Sequence, residues 1–492
     1  MFSDLYDRKY LFKCLVWLGI TFGLMKATGG AGFAIVIPMV FYALIARKTE
    51  TLLFWLLVAV SALIINPNLV SKGGNFAWMQ RGLMVALGGV MAVNVMAYPM
   101  HHAIRPFSGM IVYILFMVLS SSQGWCPVIS YLKLLLFTLI YFSYLGVANQ
   151  VGINPRVSSR KIRSVMLSLA ILFVLGSVAL LPFPGLTQLS GQAYIDAVAA
   201  GRDTTSLYTG MANHSQCLGP VISCISVILF GDLLFSIKRN DWLYLTMLIA
   251  CPFLVFKTSS RTGMGAYVLG MMFVVYVFVN ARGINQKWKS RVFSFMMFFF
   301  AALVFAVLCM PSMQSKARRF ITKSGPDDTG PVSMTQVVSS RQGLMDSALY
   351  NFHKSPLLGN GFQVGEKMKG MKMKGASSML SAPVEKGVWV TAVLEEGGII
   401  GWTIFVVFLF VCITTSIQRR AYIGASCLFV LMLTNLGEFT FFSMSYTGGI
   451  TWAMVFVGLA LDVRKMEDEN EEIRQQIEFE ELQLAIAEGN VE

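Results

Sequence analysis

Apolar runs of about 17–25 residues recur along almost the whole chain, and each is long enough for a helix to cross the hydrocarbon core of a bilayer. Only 13% of the 492 residues are charged, about half the proportion found in soluble domains. A soluble enzyme, a secreted disulfide scaffold and a nucleic-acid-binding protein are therefore excluded. The runs predict an all-α fold, a polytopic integral membrane protein with about 12–14 transmembrane helices and a large extracytoplasmic loop.

The charges of the loops predict how these helices are oriented. If the N-terminus lies in the cytoplasm, almost every loop that alternation places on the same side is rich in Arg and Lys, as the positive-inside rule requires. The formal net charge of +13 is then explained by topology, and no nucleic-acid partner is expected. We expect both termini in the cytoplasm and helical spans near residues 11–26, 29–46, 51–69, 80–98, 106–122, 128–148, 163–182, 214–237, 241–257, 262–281, 292–311, 388–416, 421–438 and 446–463.

This topology divides the chain into six segments. In the large outer loop at 312–387, Lys and Arg outnumber Asp and Glu, which indicates either an anionic ligand at the outer face or simply a solvated loop. The C-terminal segment is acidic and is predicted to be a solvated helix or a self-association helix. The segments are transmembrane helices at 1–182, an outer loop at 183–213, transmembrane helices at 214–311, a large basic outer loop at 312–387, transmembrane helices at 388–464 and a cytoplasmic helical tail at 465–492.

Motifs of soluble enzymes do not occur in the sequence. There is no phosphate-binding loop, no nucleophile elbow and no zinc-protease helix motif. The four histidines and eight cysteines show no metal-ligand spacing, and most of the cysteines lie in apolar stretches, where a thiol behaves as a small hydrophobic group. We therefore expect neither a metal nor a cofactor.

Two arginines are predicted at the outer membrane boundary. Arg261 lies in a very short turn, KTSSRTGMG, between two spans, and Arg341 follows two serines in the large outer loop. An unpaired charge at a helix bundle is costly, and a planar guanidinium matches phosphate oxygens bidentately. Both arginines are candidate diphosphate ligands. The alternative for Arg261 is an arginine that reaches from a helix end to the interface.

A carboxylate precedes the next span. Glu385 and Lys386 come directly before the stretch VWVTAVLEEGGIIGW, in which Glu396 and two glycines enter the helix. Partial desolvation at a membrane interface raises the proton affinity of a carboxylate toward the range that general-base catalysis needs. Glu385 is thus a candidate base, and an ion pair with a neighbouring lysine is the alternative.

The order SSRTGMG, then SSRQGLMDSALYNFHKSPLLGNGF, then E-x-G-x-x-G resembles the O-antigen ligase and Wzy-type polysaccharide polymerase superfamily over roughly residues 200–410. The resemblance implies transfer of a glycan from an undecaprenyl-diphosphate-linked oligosaccharide to a glycan or lipid acceptor hydroxyl, without a metal, at the periplasmic face of the bacterial inner membrane. It implies that Arg261 and Arg341 contact the donor diphosphate. Arg202 and Asn213 resemble polar outer-loop positions of the family, the first for the donor and the second for the acceptor.

One departure from the family pattern changes the expected chemistry. The ligases of the family have a histidine about nine residues before the glutamate of E-x-G-x-x-G, and Gly387 stands there in this chain. We expect Glu385 to replace that histidine as the base, with Lys386 assisting, which favours a polymerase over a ligase. Glu396 is a candidate acceptor ligand. Glu438 is a candidate second acid or acceptor ligand, or a hydrogen-bonding group of the core.

Two other classes of function remain open. A lipid-linked oligosaccharide flippase or transporter is also polytopic, but it should carry charges inside its spans, and these spans hold almost none apart from Lys133. A non-catalytic partner in polysaccharide export is the third interpretation. Expected partners are the lipid-linked donor, the acceptor, the bilayer and other polysaccharide export components.

Overall fold

The computed structural model describes residues 5–70, 76–95, 99–187, 208–236, 241–281, 284–309, 334–366, 386–437, 439–443 and 447–487. This part is built from helices and contains no strand beyond one isolated bridge between Ile65 and Ala212. Seven of its helical segments are long and apolar enough to span a bilayer, and four shorter ones are apolar. The predicted all-α, polytopic membrane fold is confirmed.

Fifteen helices in the described residues carry the fold, and every predicted span overlaps one of them. They are α1 (Arg8–Thr28), α2 (Val36–Ile45), α3 (Thr49–Ile64), α4 (Phe76–Val95), α5 (Met110–Ser122), α6 (Pro127–Ile153), α7 (Ser159–Ala179), α8 (Ser215–Ser236), α9 (Trp242–Lys257), α10 (Arg261–Asn280), α11 (Gln286–Cys309), α12 (Met334–Lys354), α13 (Trp389–Gln418), α14 (Tyr422–Thr434) and α15 (Thr447–Ala487).

The chain folds back on the end of α1 before α2 begins. After α1 the chain continues as a 3₁₀ turn at Gly29–Ile35, and Gly32 packs against the backbone of Leu24 and Met25. In a straight helix these positions would be about 10 Å apart, since each residue advances the helix by 1.5 Å. The chain therefore reverses here, and glycine is needed because a side chain would overlap the Leu24 backbone.

Aromatic side chains fill the centre of the bundle between α6 and α15. Tyr141 is fully buried and makes edge contacts with Trp452 and Phe456 at 5.0 and 5.2 Å between ring centroids. The Trp452 indole donates a hydrogen bond to the Phe441 carbonyl at 2.8 Å. Such pairs add to the stabilisation that comes from area burial, so the core fixes the two helices against each other.

The two ends of the bundle are built from different sets of loops. Helix α6 is 27 residues long and so about 40 Å from end to end. Near its start Ser130 donates to the Phe362 carbonyl at 2.9 Å, and near its end the Asn149 side chain accepts from the His101 amide at 2.8 Å. Loops predicted outside thus meet at one end and loops predicted inside at the other. Which end faces the cytoplasm stays a prediction.

A buried ion pair joins α7 to α8 at the second end. Arg163 contacts Asp232 through two guanidinium nitrogens, with Nε 2.9 Å from Oδ2 and Nη2 3.1 Å from Oδ1. The Tyr244 hydroxyl of α9 donates to the same carboxylate at 2.9 Å. Because Asp232 is fully buried, this fork holds three helices together.

Two of the predicted segments contain more helix in the structure than their description as a loop and a separate tail indicates. The segment 312–387, expected as a loop, contains the 21-residue helix α12, because one face of that helix packs on α13. The acidic tail from residue 465 is continuous with the last span, and α15 runs for 41 residues without a break.

Candidate functional site

The turn that follows α12 inserts into a break in α13. Gly398 lies at φ +61° and ψ −166°, a combination that is accessible almost only to glycine, and it interrupts the helix directly after Glu396 and Gly397. A Cβ at Gly398 would overlap the Leu357 carbonyl, and one at Gly359 would overlap the Glu396 carbonyl. The sequence PLLGNG and the pair of glycines in α13 therefore fit together as backbone against backbone.

The broken helix leaves carbonyl groups that the inserted turn satisfies. Asn360 N–H donates to the Glu395 carbonyl at 2.9 Å and Gly361 N–H to the Glu396 carbonyl at 3.1 Å. Ser120 of α5 donates its hydroxyl to the Glu396 carbonyl at 2.8 Å. Since buried carbonyls without partners are costly, these bonds fix the positions from which both glutamate side chains project.

We expect the Gly398→Ala variant to lose about 2–4 kcal/mol of unfolding free energy, because the side chain adds backbone strain and a clash with Leu357. Gly265→Ala is the matched control, because an added Cβ there meets no atom within 4 Å. The measurement is chemical unfolding in detergent micelles. Equal stability of the two variants would contradict the geometry of the break.

Lys386 lies between the two glutamates. Its ammonium is 3.3 Å from Glu395 Oε2 and 3.1 Å from Glu396 Oε1. Lys386 is 4% exposed and Glu396 is fully buried. Within the described part of the chain, neither the ammonium nor the Glu396 oxygens make a hydrogen bond of good geometry. The three groups are held by charge, and separating them would leave a buried charge without compensation.

The electrostatic surroundings keep Lys386 protonated. Burial acts to lower the pKa of the ammonium, but the carboxylates of Glu395 and Glu396 outweigh it and leave the pKa above its ordinary value. Because the folded pKa of Lys386 lies above its unfolded value of about 10.4, the lysine's contribution to stability is complete below about pH 10 and is lost as the pH rises through the folded pKa. Lys386 is therefore a fixed positive charge. Its expected assistance to Glu385 stays a prediction and would be electrostatic.

Two further groups complete this buried cluster. The Asn351 side chain of α12 donates to Glu395 Oε1 at 3.0 Å. The Lys133 ammonium of α6 donates to the Gln363 carbonyl at 3.0 Å and lies within electrostatic reach of Glu396 and Lys386. The sequence offered one signal for this cluster, because a lysine inside an apolar span is expensive and needs a partner.

Arg261 is the first residue of α10. Ser260 caps this helix by accepting from the Gly263 amide at 3.1 Å. Close backbone packing fixes the turn, since an added Cβ at Gly263 would stand 3.0 Å from the Gly219 Cα and one at Gly437 would overlap Thr262. The short sequence SSRTGMG is thus shaped by contacts with α8 and with the segment after α14.

Arg341 lies close to Arg261 although 80 positions separate them in the sequence. The positive charge of Arg341 reaches the Arg261 guanidinium, which is partly buried. Gly387, at φ +75°, packs against the same part of α12, with its Cβ position 3.2 Å from Leu344 Cβ and 3.8 Å from the Arg341 carbonyl oxygen. The N-terminus of α10 adds its partial positive charge. Two arginines and a helix N-terminus in one place form an arrangement suited to a polyanion.

The other predicted site residues lie outside the described residues or away from the two arginines. Glu385, Arg202 and Glu438 lie outside the described residues. The backbone N–H of Asn213 donates to the Ile64 carbonyl at 2.7 Å. The side-chain oxygen of Asn213 is buried without a hydrogen-bond partner in the described part of the chain. Glu396 is turned inward to Lys386, so an acceptor would reach it only after a conformational change. Its role as an acceptor ligand stays a prediction.

Among the described residues, no three His, Cys, Asp or Glu side chains lie close enough together to hold a metal ion. The charged groups of the site at this end of the bundle are two guanidinium groups, two carboxylates and two lysine ammonium groups, and they lie with the N-terminus of α10. In comparisons with known proteins, no family model and no curated protein matches the chain.

Proposed function

We propose that this protein is a membrane-embedded glycan transferase that moves a saccharide from an undecaprenyl-diphosphate-linked donor to an acceptor hydroxyl at the periplasmic face, as a polymerase rather than a ligase. The observation that carries the proposal is the approach of Arg261 and Arg341 at the N-terminus of α10. Two guanidinium groups within electrostatic reach of each other, together with a helix N-terminus, match the several oxygens of a diphosphate.

The proposed reaction balances without a metal or a cofactor. The acceptor oxygen attacks the anomeric carbon of the donor sugar, the bond from that carbon to the diphosphate oxygen breaks, and undecaprenyl diphosphate leaves. The acceptor proton passes to Glu385 as general base. The two arginines stabilise the negative charge that develops on the leaving oxygen. Direct attack inverts the anomeric configuration.

The distribution of buried charge supports an enzyme over a flippase. A flippase needs polar groups along a path through the bilayer. Lys133 is the charge inside a span that favoured such a path. Its ammonium donates to the Gln363 carbonyl and belongs to the buried cluster of Lys386 and Glu396. The Arg163–Asp232 pair lies at the opposite end of α7 and α8 and is closed by Tyr244. These charges fit a site on one side only.

The test is reconstitution of the purified protein with an undecaprenyl-diphosphate oligosaccharide and a competent acceptor, followed by mass spectrometry of the lipid and the glycan. We expect release of undecaprenyl diphosphate and extension of the glycan. In Glu385→Gln the rate should fall by about 10²–10⁴, the range of general-base catalysis. Glu366→Gln is the control, since Glu366 is exposed and pairs with Lys354. An intact donor in every sample would rule out the transferase, and flipping would then be measured.

A further inference from the structure

We propose that Glu395 is a positioning residue, which through Asn351 and Lys386 holds α12 so that Arg341 faces Arg261. The inference rests on the proposed function, because it assigns the two arginines to one diphosphate. It adds a residue that touches neither donor nor acceptor. Four observations support it: the attachment of α12, the attachment of the Arg261 turn, the defined partners of Glu395 and the distance along α12 from the Asn351–Glu395 bond to Arg341.

Helix α12 is attached to the start of α13 at two levels. At the first level Gly387 packs against Leu344 and the Arg341 carbonyl. At the second level Asn351 is bonded to Glu395 at 3.0 Å. Both partners advance by about eight residues between the two levels, so the two segments run side by side in the same direction. The register of α12, and with it the height of Arg341, follows from these two attachments.

The Arg261 turn is attached to the same segment from the other side. The Trp389 amide at the start of α13 donates to the Asn435 carbonyl at 3.0 Å. Two residues further, Gly437 packs on Thr262. The first turns of α13 therefore lie between the supports of both arginines, and a shift of these turns would change the separation of the two guanidinium groups.

Glu395 is the residue on which these contacts converge. One of its carboxylate oxygens accepts from Asn351 and the other faces Lys386, while its carbonyl accepts from the Asn360 backbone and side-chain amides at 2.9 and 3.2 Å. Asn351 and Asn360 are each 4% exposed. A buried network in which one carboxylate has defined partners on two sides has few alternative arrangements.

Holding the two guanidinium groups together requires such a network. The positive charge of Arg341 reaches Arg261, and both groups contact one diphosphate only if α12 keeps a fixed position relative to α10. The Asn351–Glu395 bond lies ten residues, or about 15 Å, along α12 from Arg341. A loosened anchor at that distance would move the guanidinium by ångströms, and misplacement by about 1 Å is enough to impair binding of a transition state severely.

The experiment measures binding of undecaprenyl diphosphate, without a saccharide, to the full-length protein in nanodiscs. Asn351→Ala should weaken binding about tenfold, and the double variant Asn351→Ala with Arg341→Ala should bind no more weakly than Arg341→Ala alone, because the asparagine acts through the arginine. Ser347→Ala is the control, an exposed polar side chain on the same helix. Additive losses, or a lower melting temperature with unchanged binding, would overturn the positioning role.

A second readout needs no donor and keeps the inference testable if the wild type fails to bind the lipid. Spin labels at Gln342→Cys and Gly265→Cys, both exposed positions, report the distance from α12 to α10 in a background with Cys309→Ser. We expect a narrow distance distribution that broadens with Asn351→Ala and not with Ser347→Ala. Absence of lipid binding with this broadening would overturn the proposed function alone, and an unchanged distribution would overturn the positioning role alone.

Discussion

Replacing Arg341 with alanine is expected to lower the turnover of the lipid-linked donor by about 10²–10³, the effect of removing one preorganised group that stabilises developing negative charge. The loss should appear mainly in kcat, since the charge on the leaving diphosphate grows in the transition state. Arg341→Lys should recover only part of the rate, because an ammonium keeps the charge but lacks the planar fork that binds two phosphate oxygens. Single-turnover kinetics with the reconstituted protein measures both.

The partner arginine provides the internal check of this prediction. Arg261→Ala should cause a comparable loss, and the double variant should lose less than the product of the single losses, because both groups act on one diphosphate. Arg291→Ala is the control, an exposed arginine near the start of α11. If the double variant loses the full product of the two effects, the arginines act at separate sites and a shared diphosphate is excluded.

The helices of this protein could be predicted from sequence because each is encoded locally. A run of apolar residues long enough to span a bilayer has few alternatives to a helix, since every backbone polar group must be satisfied within the segment. Residues 128–148, predicted as a span, lie within α6 at Pro127–Ile153. The turn at Arg261 was predictable for the same reason, because it separates two such runs.

The arrangement of the candidate site could be predicted only in part. Sequence identified Arg261 and Arg341 by their chemistry, but their approach depends on backbone contacts at Gly387 and Gly437 that no local pattern encodes. Asn351 was not identified at all. In the sequence Asn351 is one polar residue on a predicted amphipathic helix. Its hydrogen bond to Glu395 is apparent only in the structure, where the helix that carries Glu395 is broken at Gly398.

The roles predicted for residues 385–387 (EKG) and 395–398 (EEGG) show the same limit. The predicted assistance of Lys386 to Glu385 stays a prediction, since Glu385 lies outside the described residues, but the contacts of Lys386 with Glu395 and Glu396, nine and ten residues further on, were not predicted. Spacing along the chain indicates which groups can meet in a regular helix. It does not indicate contacts at an irregular entrance to a helix, such as the extended Val388 and the positive φ of Gly387 before α13.

The second large effect concerns stability. Asp232→Ala should reduce the free energy of unfolding by about 3–5 kcal/mol, because it leaves the buried Arg163 guanidinium without its counter-charge. The Tyr244 hydroxyl loses its acceptor in the same variant. Unfolding in mixed micelles of increasing denaturing detergent measures the change. Glu478→Ala is the control, since Glu478 is exposed on the part of α15 that extends beyond the bundle.

A double replacement separates the cost of an unpaired charge from the value of the pair. Arg163→Met combined with Asp232→Leu removes both charges and keeps similar volumes, so its stability should return to within about 1–2 kcal/mol of the wild type. Such recovery means that the pair fixes which faces of α7 and α8 meet rather than supplying net stability. If the double variant is as unstable as Asp232→Ala, the fork itself stabilises the bundle and hydrophobic packing cannot replace it.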